Sequence, residues 1–238
     1  MIRRLASRFA NGARLTRATL RLVAGRRYWI APLLPLSWIA FQIFRLLVRW
    51  RPDAYGPADA QNVLIGFPLT VLAIGLGVRV IAGEIDRRTL EIAYTVPGGT
   101  HRIWLAKLTA ALGLLVAAEI LLAVATYVFC TEYPLVALYG AMQAAVFYMV
   151  LSMAFAALLK SEAAGAMVII LVLGFNSMIQ GGNLRISPFW NPELARTDDP
   201  AELLALAVQN RVGFLLVTVA IAALGFARAE NREKLLGG

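Results

Sequence analysis

The residues best placed to do chemistry fall in one stretch, GEIDRRTLEIAYTVPGGTHRIWLAKL at 83–108. It sets Glu84, Asp86, Arg87, Arg88, Glu91, Arg102 and Lys107 between two long apolar runs. Acids and bases interleaved at this density suit ion pairing; catalysis instead needs a nucleophile or acid beside an oriented base. The other reactive residues supply no such set. Cys130 is the single cysteine and His101 the single histidine, which leaves no internal disulfide and no metal site between them at this spacing. Aspartate occurs only at 53, 59, 86, 198 and 199, outside the apolar runs. No GxxxxGK[ST] phosphate loop is present, so the chain does not hydrolyse ATP in that manner.

The elements that must position this stretch are membrane helices. The chain is 60% hydrophobic and 16% charged with a mean hydropathy of +0.70, against roughly 45–50% and about 25% in soluble domains. Runs of about 20 apolar residues, the length that crosses a bilayer, fall at 28–48, 63–83, 103–129, 134–159, 163–180 and 210–228. These predict an all-α integral membrane protein with six transmembrane helices, forming one domain over 28–238. The net charge of +9 then reads as a topology signal and not as a nucleic-acid footprint. With the N-terminus in the cytoplasm, 17 of the 23 Lys and Arg residues lie on the cytoplasmic side, so both termini are placed there. Arg45, Arg49 and Arg51 fall on the wrong side and are read as snorkelling to the headgroups. Arginine outnumbers lysine 20 to 3, which points to a GC-rich bacterial source and an inner-membrane location.

Residues 1–27 carry eight arginines and no acid, with Leu5, Phe9, Leu15, Leu20 and Val23 among them. The preferred reading is an amphipathic helix on an anionic leaflet; a presequence, a cleaved signal and basic disorder are the alternatives. Pro68 should kink the second span. The third span, followed from His101, would reach about 43 Å, so Arg102 and Lys107 are expected in the cytoplasm or headgroups. Glu119 lies deep in it, where a carboxylate is costly and marks either a site or a packed hydrogen bond. Asn176 and Gln180 are further candidates for lining a path. The Gly-, Pro- and Asn-rich 176–209 reads as an outer or partly re-entrant segment ending in a short helix from Pro200, before the last span.

Within the opening stretch, Leu90 and Tyr94 are four apart and Ile85 and Ile92 seven apart, the spacing of a short amphipathic helix. Pro97, Gly98 and Gly99 end it, and Thr100 can start the next helix. The pattern Glu84, Thr89, Leu90, Glu91, Pro97 and Lys107 resembles the region after the second span in permease subunits of ABC exporters of the second type. That resemblance implies a cytoplasmic coupling helix, with Asp86, Arg87, Arg88, Thr89, Leu90, Glu91 and Tyr94 docking on an ATPase. Glu84 would be a gating acid, for which Arg79 offers only a loose intrahelical partner. It also implies a second permease subunit, the same chain or another, and separate ABC ATPase subunits that hold ATP and Mg. The chain itself would carry no cofactor. Membrane lipids would surround it, and its substrate would be a lipid, drug, peptide or glycan. An intramembrane enzyme and a channel or scaffold subunit are the competing readings; neither makes use of an ordered coupling element.

Overall fold

Helices in a membrane gain little by burying apolar side chains against one another instead of lipid, so close approach through small residues decides how they meet. The computed structural model describes residues 17–86, 100–179, 186–194 and 199–230, and these form helices with no strand among them. A short helix over 17–24 (α1) turns Leu20, Val23 and Ala24 toward the core and leaves Arg17 and Arg21 exposed. It stops at Gly25, whose φ of +82° only glycine adopts easily, and the Gly25 N–H bonds the Arg21 carbonyl at 3.0 Å. This is the described part of the basic amphipathic helix expected over 1–27; residues 1–16 lie outside the described ones.

The first span is not one helix. A 3₁₀ turn over Tyr28–Leu33 leads into α2 (Leu36–Leu47). Pro32 and Pro35 each remove an amide donor within this entry, and the tighter turn tolerates the loss. At the other end two of the three misfit arginines, Arg45 and Arg51, have partners. Arg45 donates to the Gln42 side-chain oxygen at 3.2 Å, and Arg51 pairs with Asp59 at 2.9 Å while lying 4.1 Å over the Tyr55 ring.

The second span is α3 (Pro57–Asp86), and its expected kink at Pro68 takes the form of a π-helical stretch over Ala60–Gly66 just before it. A proline ring clashes with the carbonyl four residues back, and widening the preceding turns relieves the clash. Then follow α4 (Thr100–Phe129), α5 (Val136–Leu159), α6 (Glu162–Ile179) and α7 (Pro200–Glu230). Among the described residues, five stretches are long and apolar enough to cross a membrane: Tyr28–Leu47, α3, α4, α5 and α7. The remaining one of the six expected spans is α6, whose described residues cover about 27 Å and end where the described residues end.

The separate short helix expected before the last span is absent: α7 runs unbroken from Pro200 to Glu230. Nothing between 201 and 212 would stop it, since AELLALAVQNRV holds neither Gly nor Pro. The segment 186–194 does fold as irregular backbone against protein. Phe189, Trp190 and Asn191 are buried, with Gln61 donating to the Trp190 carbonyl at 3.0 Å, Asn191 to Ala58 at 3.2 Å and Asn210 to Ser187 at 3.1 Å. Buried irregular backbone survives only with such partners for its polar groups.

At the centre, α5 presents Gly140, Ala141, Ala144, Ala145, Ala156 and Ala157 to its neighbours, and all of them are buried. A Cβ added to Gly165 of α6 would lie 2.6 Å from the Ala156 Cα. The backbones of α5 and α6 therefore meet with nothing between them. Two ends result: one holds Asp86, Thr100, Lys160 and Glu230, the other Pro57, Val136, the 186–194 segment and Pro200.

Candidate functional site

At the first of these ends, charged residues of four helices are tied together. Lys107 sits on the inward stripe of α4, three residues after buried Trp104 and four before buried Ala111. Its side chain is 2% exposed. This corrects the expectation that Lys107 stands in water or headgroups: helical phase, not distance from the helix end, decides which way it points. The ammonium donates to the Val80 carbonyl at 3.3 Å and forms an ion pair with Glu84, one turn further along α3. A backbone carbonyl and a carboxylate together satisfy a charge that would otherwise be costly at this burial.

Arg79 does not reach Glu84. Its Nε lies 3.6 Å from a Glu162 carboxylate oxygen, and its Nη1 donates to the Val23 carbonyl at 3.5 Å, so one side chain touches α1, α3 and the start of α6. Gly83 makes room for this, since a Cβ there would lie 3.0 Å from the other Glu162 oxygen. Asp86 accepts the Glu162 backbone N–H at 3.0 Å and so caps α6 from a different helix. His101 at the start of α4 lies 3.6 Å from Glu230 at the end of α7, both half-exposed. The arrangement is a mechanical junction: the last turn of α3 is held to α4 by a buried pair and to α6 by a cap and an ion pair. Asp86→Ala is expected to cost about 1 kcal/mol, the usual value of a lost N-terminal cap. Thermal unfolding in detergent checks it, and an unchanged midpoint would show that water caps α6 equally well.

The residues expected to dock on a partner divide at this point. Asp86 is turned toward α6, whereas Arg87, Arg88, Thr89, Leu90, Glu91 and Tyr94 lie outside the described residues, as does Gln180. The junction flanks residues 87–99 on both sides.

The other path candidates are not gathered there. Glu119 faces the bundle from the middle of α4, with one carboxylate oxygen buried and without a hydrogen bond. Beside it, the Tyr133 hydroxyl donates to the Ala123 carbonyl at 2.8 Å; burial first, and the Glu119 carboxylate second, push this phenol above its ordinary range. Asn176 accepts from the Ser187 hydroxyl at 3.4 Å. It thereby joins a relay at the opposite end in which Ser187 is bonded by Asn210, and Asn210 by Gln143 at 3.1 Å. Of these residues Asn176 is a candidate from the sequence; Asn210 joins it to Gln143, and its signal in the sequence is an amide at the margin of an apolar run. No protein-family model, curated protein or solved structure matches this chain.

Proposed function

We propose that this chain is the membrane-spanning permease subunit of an ATP-driven exporter in a bacterial inner membrane, with the charged junction and both termini facing the cytoplasm. Separate ATPase subunits carry the ATP and Mg, and a second permease subunit completes the substrate path. In this reading α6 is the remaining crossing element, making six. The observation that supports it most is the junction itself. A connection that only had to join α3 to α4 would need no buried pair, whereas Glu84–Lys107, Asp86–Glu162 and Arg79–Glu162 bind three helices at the point where a force on 87–99 would arrive. A push there moves α3, α4 and α6 together, because a packed, ion-paired contact shifts as a unit.

Leu90 and Glu91 are the proposed contact points on the ATPase, and Glu84 holds the helix end in place. Leu90→Asp puts a carboxylate into an apolar contact, which costs several kcal/mol if left unpaired, so transport should fall roughly ten-fold or more. The chain should still accumulate and unfold at its usual temperature. The measurement is co-purification of the variant with the ATPase encoded beside it, alongside the ATPase activity of the complex. A chain that never retains an ATPase, or a Leu90→Asp complex indistinguishable from the native one, overturns the reading.

A further inference from the structure

Most of α3 is buried, but Phe67, Val71, Gly75 and Arg79, each four residues from the next, stay exposed and wind along one face. Two clefts of about 650 and 700 Å³ lie over this face and share Trp38, Phe67, Val71 and Gly75, so they form one continuous groove. The first is walled by α1, the 3₁₀ turn and α2; the second by α6 and Phe189. From Asn62 to Arg79 the groove follows 17 residues of α3, or about 26 Å, most of the roughly 30 Å of a bilayer's hydrocarbon.

The ends of this groove differ in chemistry. At one end stand Arg27 and Arg79, with no acidic residue among the described lining of either cleft. At the other the described lining holds the neutral polar groups Asn62 and Ser177. The walls between them are apolar. Arg79 spends two donor nitrogens on Glu162 and Val23, and its side chain stays 44% exposed toward the groove. Gly75, one turn from Arg79, and Gly174 on α6 each leave open space where a side chain would begin.

From this we infer that the groove binds an anionic amphiphile, such as a phospholipid, with its headgroup on Arg27 and Arg79 and an acyl chain along Val71, Gly75 and Gly174. Arg27, together with the part of Arg79 that its ion pair with Glu162 leaves facing the groove, favours an anion where the described lining holds no carboxylate of its own. A second copy of the chain fits the groove less well: a two-fold axis along the membrane normal would bring two more arginines to the same level. The inference does not depend on an ATPase, and it names the class of molecule that an exporter of this kind would have within reach.

The test uses the full chain, purified in detergent with equimolar phosphatidylglycerol and phosphatidylcholine, and native mass spectrometry to count the lipids retained. Each unpaired basic residue is worth roughly a five-fold preference for anionic lipid at a membrane surface, so with Arg79 already paired to Glu162 the native chain should retain phosphatidylglycerol at least about five-fold over phosphatidylcholine at one site. Arg27→Gln/Arg79→Gln should bring that ratio close to one while a lipid is still held. Gly75→Leu/Gly174→Leu, which meets no neighbouring atom at Cβ, should fold and lose the tightly held lipid of both kinds. Equal retention of the two lipids by the native chain overturns the inference. So does unchanged phosphatidylglycerol retention by the double leucine variant, which decides the matter alone if loss of Arg79 disturbs folding. Disulfide crosslinking of Gly75→Cys between two copies, with no lipid displaced by the leucine variant, would assign the groove to a second chain instead.

Discussion

Glu84→Leu should destabilise the chain by about 3–5 kcal/mol, the range seen when one partner of a buried ion pair is removed. The asymmetry of the pair makes this the informative side to change. Lys107 is 2% exposed, and besides Glu84 it has only the Val80 carbonyl, so the variant strands an ammonium in the bundle. Lys107→Met should cost less, because Glu84 is 14% exposed and keeps contacts of its own. The double variant Glu84→Leu/Lys107→Met replaces two charges by apolar side chains of similar reach, and such swaps are often neutral or stabilising. The expected pattern is therefore a large loss, a smaller one, and recovery when they are combined. Thermal unfolding in a mild detergent, followed by tryptophan fluorescence, reads all three. A Glu84→Leu midpoint within the range of a surface substitution, about 0.5 kcal/mol, would mean that water reaches Lys107 and that the junction is not a clamp.

Both members of this pair were visible in the sequence, yet the pairing was not. Composition and apolar run length are enough to recognise an all-helical membrane chain, because they depend only on what a bilayer demands of each segment. Pairing depends on the phase of one helix against another. In α3 the phase changes over Ala60–Gly66, where the π-helical turns hold more residues than α turns, so the face predicted for every later residue is rotated. Arg79 and Glu84, five residues apart on the same helix, lie about 140° round it from each other, so Arg79 points at Glu162 instead, and Lys107 is aimed inward by its place after Trp104.

Run length does not reveal continuity, at two places and in opposite directions. Pro32 and Pro35 break the first span into a 3₁₀ turn and a helix, because each withholds an amide donor. The last helix takes in residues assigned to a separate element, since a hydropathy threshold ends a span where the backbone has no reason to end a helix. The groove along α3 was not legible at all. It is made by the residues that fail to pack, and only the folded arrangement shows which glycines those are.

Two glycines on α3 separate packing from open space most sharply. Gly77→Ala should destabilise the chain by about 1–3 kcal/mol, the cost of inserting a methyl into a filled contact, whereas Gly75→Ala should be neutral or stabilising by up to about 1 kcal/mol. At Gly77 the added carbon would run into the Met149 carbonyl and the Ser152 hydroxyl of α5. Neither can move aside cheaply. The carbonyl belongs to a helix backbone, and the hydroxyl already bonds Met149 at 2.8 Å and Ile74 at 3.3 Å. The helices would have to separate, loosening the contact on which the centre of the bundle is built. At Gly75, two residues earlier, nothing lies within 4 Å of the new carbon, and alanine brings its better helix propensity. Unfolding temperatures of the two variants, measured side by side in the same detergent, should therefore move in opposite directions. Equal shifts would show that α3 does not meet α5 as closely as Gly77 requires, and that the groove beside Gly75 is filled by protein after all.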